Sequence, residues 1–217
     1  MPPLKRFTRP LAWLALTALT GACAATQPIR VLGKGERRFI SSIGGPLLPN
    51  HTPTGFIPYT NVGMMWGHSD NVTASANVHV LAATFGIAGL DVGLARRLTR
   101  QDGIVPEFTG QGQLYLFAGP GGARVFPSAT ATASWAHGPR TLSYAGANLT
   151  GQLTSGTGVL ASPLVGLQRD VTRRVTLQLE GKWMAANADM SRGLFEGENT
   201  VGGKGGLALQ LGVQVKR

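Results

Sequence analysis

The sequence predicts an all-β protein, namely an antiparallel up-and-down β-barrel of about ten strands that crosses a membrane. Three observations predict this class. Several long segments alternate apolar and polar residues with a period of two, which gives an extended chain two different faces. The chain begins with an export-type leader. It also contains 31 glycines in 217 residues and 14% charged residues, whereas an average soluble domain has about 7% glycine and about 25% charged residues.

The first 22 residues have the organisation of a signal peptide. A basic head is followed by an apolar run, Leu11–Thr20, that is too short to cross a bilayer, and small residues come after it. The head contains Lys5, Arg6 and Arg9. We therefore expect this segment to direct export and to be removed.

Cys23 is the only cysteine of the chain, so an exported protein could not use it for an internal disulfide. The residues Thr20–Cys23 (TGAC) resemble the lipobox of bacterial lipoprotein signals. The resemblance implies cleavage before Cys23, its acylation with fatty acids such as palmitate, and a lipid-anchored linker over residues 23–37. Ala24 is not the Asp that commonly retains proteobacterial lipoproteins in the inner membrane, so the resemblance implies the outer membrane. Thr20 departs from the usual Leu, which leaves cleavage nearby by an ordinary signal peptidase open.

Ten segments can be drawn as strands of a single domain over residues 38–217. Strict alternation lasts for nine residues or more in Val72–Ala82, Ala123–Trp135, Val175–Trp183 and Val201–Val215. Strands of soluble sheets average about five or six residues, whereas a tilted membrane strand needs about nine to eleven. Weaker segments are Arg38–Leu47, Phe56–Trp66, Ile87–Leu98, Glu107–Phe117, Thr141–Leu153 and Val159–Asp170. The total is even, as bacterial single-chain barrels require.

The connections between these segments fall into two alternating groups. Compact polar connections occur at 67–70, 99–103, 137–140 and 170–173. Long or Gly/Pro-rich connections occur at 48–55, 84–86, 119–122, 155–158 and 187–199. Short periplasmic turns and longer outer loops are typical of membrane barrels, so we expect both chain termini on the periplasmic side.

The segment VTLQLEGKW, Val175–Trp183, has one apolar and one charged face, and its alternation alone does not decide which face looks inward. Strand length, leader, glycine content and even strand number together favour an apolar face that meets lipid. On these features residues 38–217 resemble small bacterial outer-membrane β-barrel proteins, which implies a barrel in the outer membrane. The chain departs from them in ending at Arg217, where such proteins often have an aromatic residue. The open alternative is a soluble, lipid-anchored barrel that binds an apolar ligand inside.

In the membrane interpretation, the polar faces line the lumen. Six charged residues are then expected to project inward: Asp91, Glu107, Arg124, Glu180, Lys182 and Lys204. Three acids and three bases in a bore of about ten strands should pair, because unpaired buried charges cost several kcal/mol each. We therefore expect a plugged barrel with a structural or surface-interaction role.

The sequence contains no pattern that points to catalysis, a metal or a cofactor. The four histidines have no metal-binding spacing. Ser75 and His79 share one strand face, which keeps a lipid hydrolase as a less favoured alternative, but residues four apart on a strand lie about 13 Å apart. The formal net charge of +10 is scattered and no nucleic-acid motif accompanies it, so outer-membrane lipid is the expected partner. We expect a protein that is not an enzyme.

Overall fold

The computed structural model describes residues 27–47, 59–153, 158–189 and 200–217. Within these ranges ten antiparallel strands form one closed barrel in which each strand pairs with its neighbours in sequence and β1 closes on β10. The predicted all-β, ten-stranded, up-and-down barrel is confirmed. The strands are β1 (Arg37–Pro46), β2 (Tyr59–Ser69), β3 (Val72–His79), β4 (Ala88–Arg97), β5 (Glu107–Gly119), β6 (Gly122–Ala136), β7 (Thr141–Gln152), β8 (Gly158–Asp170), β9 (Val175–Asp189) and β10 (Lys204–Lys216).

Two of the strongest predicted strands are shorter than expected. The strand predicted to run to Ala82 ends at His79, and a short helix α1 (Val80–Thr84) follows it. The strand predicted from Val201 begins at Lys204, because Gly202 and Gly203 adopt positive φ angles in a tight turn. In both places the alternation of the sequence extends beyond the residues that form the strand. No helix in the described ranges is long and apolar enough to span a bilayer.

The outer surface of the barrel is apolar and its interior is polar. On β8 and β10 the outward residues Val165 and Leu211 are 61% and 54% exposed. On β9 the inward residues Gln178 and Glu180 are only 2% and 4% exposed. This is the reverse of a soluble barrel, in which the apolar face is buried. The two faces of VTLQLEGKW are therefore oriented as the membrane interpretation predicts.

The barrel has two distinct ends. The termini end carries the start of β1, the end of β10 and the connections at 70–71, 98–106, 137–140 and 171–174. The loop end carries α1 and the remaining connections, including those that join β1 to β2 and β9 to β10. The even strand number places both chain termini at one end, as predicted.

Candidate functional site in the barrel lumen

The N-terminal segment, Gln27–Leu32, crosses the lumen at the termini end. Ile29 packs with a buried cluster on β7 and β8 that contains Leu142, Tyr144 and Leu164. Leu32 packs with Ile40 and Met65 on β1 and β2, on a well separated part of the wall. The backbone N–H of Leu32 also donates to the hydroxyl of Thr73 at 2.7 Å. The segment is therefore held against separate parts of the wall.

A charged cluster fixes the middle of this segment. The Arg30 guanidinium donates from Nε to the Ser134 hydroxyl at 2.9 Å and lies 4.0 Å from the Glu107 carboxylate. Arg97 on β4 approaches the same carboxylate, with 3.4 Å between Arg97 Nε and Glu107 Oε2. Glu107 is almost fully buried, so the two arginines supply the positive charge that a buried carboxylate requires.

A second ionic pair lies deeper in the lumen, on β9. Lys182 Nζ lies 3.4 Å from Glu180 Oε1, and both side chains are buried. The Tyr144 hydroxyl donates to Glu180 at 3.1 Å and accepts a hydrogen bond from the Gln178 amide at 2.9 Å. Because Tyr144 also contacts Ile29, this network adjoins the N-terminal segment. Gly166 is required beside it, since a Cβ at that position would overlap the Tyr144 ring.

A close contact between a histidine and a carboxylate lies near the loop end and is the most deeply buried of the three. His79 Nε2 lies 3.0 Å from Asp91 Oδ2, and both side chains have 0% exposure. The other carboxylate oxygen of Asp91 accepts from the Asn77 amide at 2.7 Å and from the Gln113 amide at 2.6 Å. Three side chains on β3 and β5 therefore converge on a single carboxylate from β4.

A row of aromatic rings and α1 lie beside this pair at the loop end. The His79 ring lies 5.5 Å from the Tyr59 ring and 4.9 Å from the Phe117 ring, and Phe117 stacks edge-on against Phe126 at 6.2 Å. This row crosses from β2 to β6. Gly89 makes room for it, because a Cβ there would meet His79 Cβ and the Phe117 ring at 2.8 Å.

Helix α1 covers this row of rings from the loop end. Leu81 packs with Tyr59 and Met184, which belong to β2 and β9. Ala82 belongs to a different buried cluster that contains Phe117 and Phe126, on β5 and β6. One helical turn therefore contacts two separate parts of the wall at the loop end.

The structure places the predicted lumen charges in three kinds of environment. Asp91, Glu107, Glu180 and Lys182 are buried inside the barrel. Arg124 is half-buried beside the β5–β6 turn. Lys204 corrects the expectation, because it is exposed at the start of β10, where the register shifts between Lys204 and Gly206 and the alternation is broken. Cys23 lies outside the described residues.

The sequence pattern does not reveal the partners of two lumen acids. Alternation places Ser75 and His79 on one strand face, but it does not identify His79 as the partner of Asp91. Arg97 could have been found, because the same alternation that turns Asp91 inward on β4 also turns Arg97 inward. Arg30 lies before the first strand, where no periodicity predicts its position. Ser75 and His79 both face the lumen on β3, and the His79 ring contacts Asp91 rather than a serine.

The fold was compared with known proteins. No protein-family model matches the chain, and no curated protein sequence matches it either. The translocator domain of autotransporter NalP from Neisseria meningitidis is similar in structure, with a TM-score of 0.50 and 10% identity over 95% of each chain. A de novo designed transmembrane β-barrel has a TM-score of 0.37 and 8% identity, covering 87% of this chain and all of its own. Ail of Yersinia pestis has a TM-score of 0.24 and 6% identity, covering 85% of this chain and 99% of its own.

At such low identity the likeness to the translocator domain concerns the fold alone. It agrees with the closed antiparallel sheet and with the outward position of the apolar residues. The chain therefore has the fold of an outer-membrane β-barrel.

Proposed function

We propose that this chain is an integral outer-membrane barrel with a closed lumen and a structural or surface-interaction role. The observation that carries the proposal is that protein groups lie inside the lumen near both ends. The N-terminal segment packs against the wall at the termini end, and α1 with the row of aromatic rings packs inside the loop end. Between them, the Glu180–Lys182 pair and its hydrogen-bonding partners occupy the bore.

The polarity of the two surfaces favours this role over a soluble barrel with an apolar ligand. Apolar residues such as Leu177, Leu179 and Leu211 face outward and are exposed. The lumen wall carries amides, hydroxyls and charges, which include Gln113 and Asp91. The apolar side chains inside the barrel pack against one another in clusters, and the polar lining between them offers an apolar molecule little favourable surface. The outer wall suits a hydrocarbon environment.

A lipid anchor at Cys23 is part of the proposal. Three residues, Ala24, Ala25 and Thr26, separate it from Gln27, the first described residue, which comes two residues before Ile29 at the termini end. Four Cα-to-Cα steps of extended chain reach about 14 Å at most, so an acylated Cys23 would stay on that side of the barrel. In the proposed orientation this side is periplasmic, where the lipid chains could enter the inner leaflet.

Extraction and conductance together test the barrel. We expect a Cys23→Ser protein to remain in membranes after alkaline washing and to require detergent, because the strands themselves hold it there. Purified protein in planar bilayers should give no large, steady conductance steps, while a general porin in the same bilayers serves as positive control. Release by alkaline washing would contradict membrane integration, and large steady steps would contradict the closed lumen.

Mass spectrometry of the mature N-terminus tests the anchor separately. We expect the mature chain to begin at Cys23 and to carry fatty acids, and the Cys23→Ser protein to lack them. A mature chain with an unmodified Cys23, or one that begins after it, would contradict the anchor without affecting the barrel.

A further inference from the structure

The exposed charges of the barrel are distributed very unevenly between its two ends. In the described part of the chain, the termini end carries ten exposed lysines and arginines and only two exposed acids, Asp70 and Asp102. The described residues of the loop end have one exposed base, Lys204, and one exposed acid, Asp189. The sequence of the β9–β10 connection adds one arginine and two glutamates there. A strong positive field therefore surrounds one mouth of the barrel only.

Four of these arginines lie where the apolar outer wall stops. Arg96 continues the outward row of β4 directly after Leu94, and Arg169 continues that of β8 after Leu167. Arg37 begins β1 and Arg217 directly follows β10, in the outward rows of the exposed residues Phe39 and Val215. We call these four residues, Arg37, Arg96, Arg169 and Arg217, the arginine belt. Its height on the barrel is that of the headgroups of a surrounding bilayer.

The arginine belt has no acidic partner within the described chain. Glu36 lies beside it but is occupied by Arg38 at 2.8 Å and Lys216 at 3.7 Å. Glu107 is occupied inside the lumen by Arg30 and Arg97. No carboxylate among the described residues lies within ion-pair distance of any belt arginine. The belt therefore needs counter-ions from outside the protein.

The need for external counter-ions is greatest at the seam between β1 and β10. The backbone N–H of Arg217 donates to the Arg37 carbonyl at 3.2 Å, so the two residues are direct neighbours. Lys34, Lys216 and Glu36 line the same open cleft, where Glu36 pairs with Lys216. The remaining positive charges repel one another, and a bound anion reduces that repulsion. The planar guanidinium group matches the geometry of a phosphate particularly well.

We propose that the arginine belt binds the phosphate groups of anionic phospholipids in the leaflet at the termini end, and that the β1–β10 seam is its strongest site. This inference rests on the proposed function, since it requires a barrel embedded in lipid. A lipid is favoured over a soluble polyanion because belt members lie on β1, β4, β8 and β10, around the wall and at its apolar boundary. A soluble polymer would more simply use a single patch that faces water.

Native mass spectrometry of the detergent-solubilised barrel can measure the affinity for phosphatidylglycerol relative to phosphatidylcholine. We expect the unaltered protein to prefer phosphatidylglycerol. The double variant Arg37→Gln/Arg217→Gln should weaken this preference by about fivefold for each arginine removed. The matched control, Arg124→Gln/Lys204→Gln, removes two positive charges at the loop end and should leave the preference unchanged. Arg37→Lys/Arg217→Lys keeps the charge but not the planar guanidinium group. Its preference for phosphatidylglycerol should lie between that of the unaltered protein and that of Arg37→Gln/Arg217→Gln.

Four outcomes would overturn the inference in distinguishable ways. Equal loss in the two glutamine variants would assign the preference to overall charge. A barrel that floats with vesicles and needs detergent, yet shows no lipid preference, would refute the belt and leave the proposed function intact. A protein that does not float with vesicles would refute the proposed function itself. Tight binding of polyphosphate without any preference for phosphatidylglycerol would assign the surface to a soluble polyanion.

Discussion

Different elements occupy the lumen at its two ends. At the loop end the groups inside the lumen are side chains of the strands themselves and of α1, which sits within the connection between β3 and β4. At the termini end the lumen holds the N-terminal segment, which lies outside the strands and reaches the wall through Arg30, Ile29 and Leu32. The first set of groups cannot be removed without disturbing the sheet. The second can be lost while every strand pairing persists.

The acid–base contacts at the two ends also differ, in their exposure to solvent. His79 and Asp91 are fully excluded from solvent. At the termini end the Arg30 side chain keeps 28% exposure and Glu107 keeps 7%. At the termini end water can reach a side chain that has lost its partner, whereas at the loop end it cannot. Equivalent substitutions should therefore destabilise the protein more at the loop end.

The largest effect is expected from Asp91→Ala. It leaves His79 without its acidic partner and the amides of Asn77 and Gln113 without their shared acceptor. The free energy of unfolding should fall by about 3–5 kcal/mol, the usual result of removing one member of a buried pair. Urea unfolding in lipid vesicles measures this change.

The matched control for this prediction is Asp102→Ala, since the Asp102 side chain is exposed in a turn. It should change the unfolding free energy by no more than about 0.5 kcal/mol. A similar result for Asp91→Ala would show that the loop-end pair does not hold the structure together.

A smaller effect is expected from Glu107→Ala at the termini end. Arg30 and Arg97 lose their shared carboxylate, but water can reach part of both guanidinium groups. We expect a loss of about 1.5–3 kcal/mol, the range for hydrogen bonds to charged groups. Limited proteolysis should also cut near the N-terminal segment more quickly.

Glu107→Gln is the control here, because it keeps an acceptor for both arginines while removing the charge. It should cost less than Glu107→Ala. If Glu107→Ala destabilised the barrel as much as Asp91→Ala while proteolysis near Gln27 stayed unchanged, the proposed difference between the two ends would be wrong.

The smallest effect is expected when only the N-terminal segment is removed. A refolded protein that begins at Gly33 lacks the N-terminal segment but keeps the row of rings from Tyr59 to Phe126. Planar-bilayer recordings should therefore show no large, steady conductance steps, as for the complete protein. Large steps in the shortened protein alone would show that the N-terminal segment closes the lumen by itself.

Much of the fold follows from local pattern. Alternation in Val175–Trp183 and Ala123–Trp135 predicts strands that the structure confirms, because the period of two reflects the geometry of the extended chain itself. The end of β3 could not be predicted in this way. Val80 and Ala82 extend the apolar row of that strand, but they belong to α1, whose position depends on contacts with distant strands.

The contacts inside the lumen are even harder to predict from alternation. Alternation turns Asp91 and Glu180 to the same face as their polar neighbours, and this follows from the sequence. It does not reveal that Asp91 pairs with His79, since that contact depends on the register between β3 and β4, in which Asn77 lies opposite Asp91. Nor does it place Arg30, which reaches Glu107 from a segment that belongs to no strand.

The sequence by itself determined the number of strands, their alternation and the end of the barrel at which the chain termini meet. These properties depend on residues near one another in the chain and on strand parity. The tertiary structure decided which face looks outward, which charges pair and which groups lie in the lumen. The physical reason is that the two faces of a strand such as Val175–Asp189 are equivalent until the sheet closes. Closure then gathers the polar face into a narrow bore, where its members must satisfy one another.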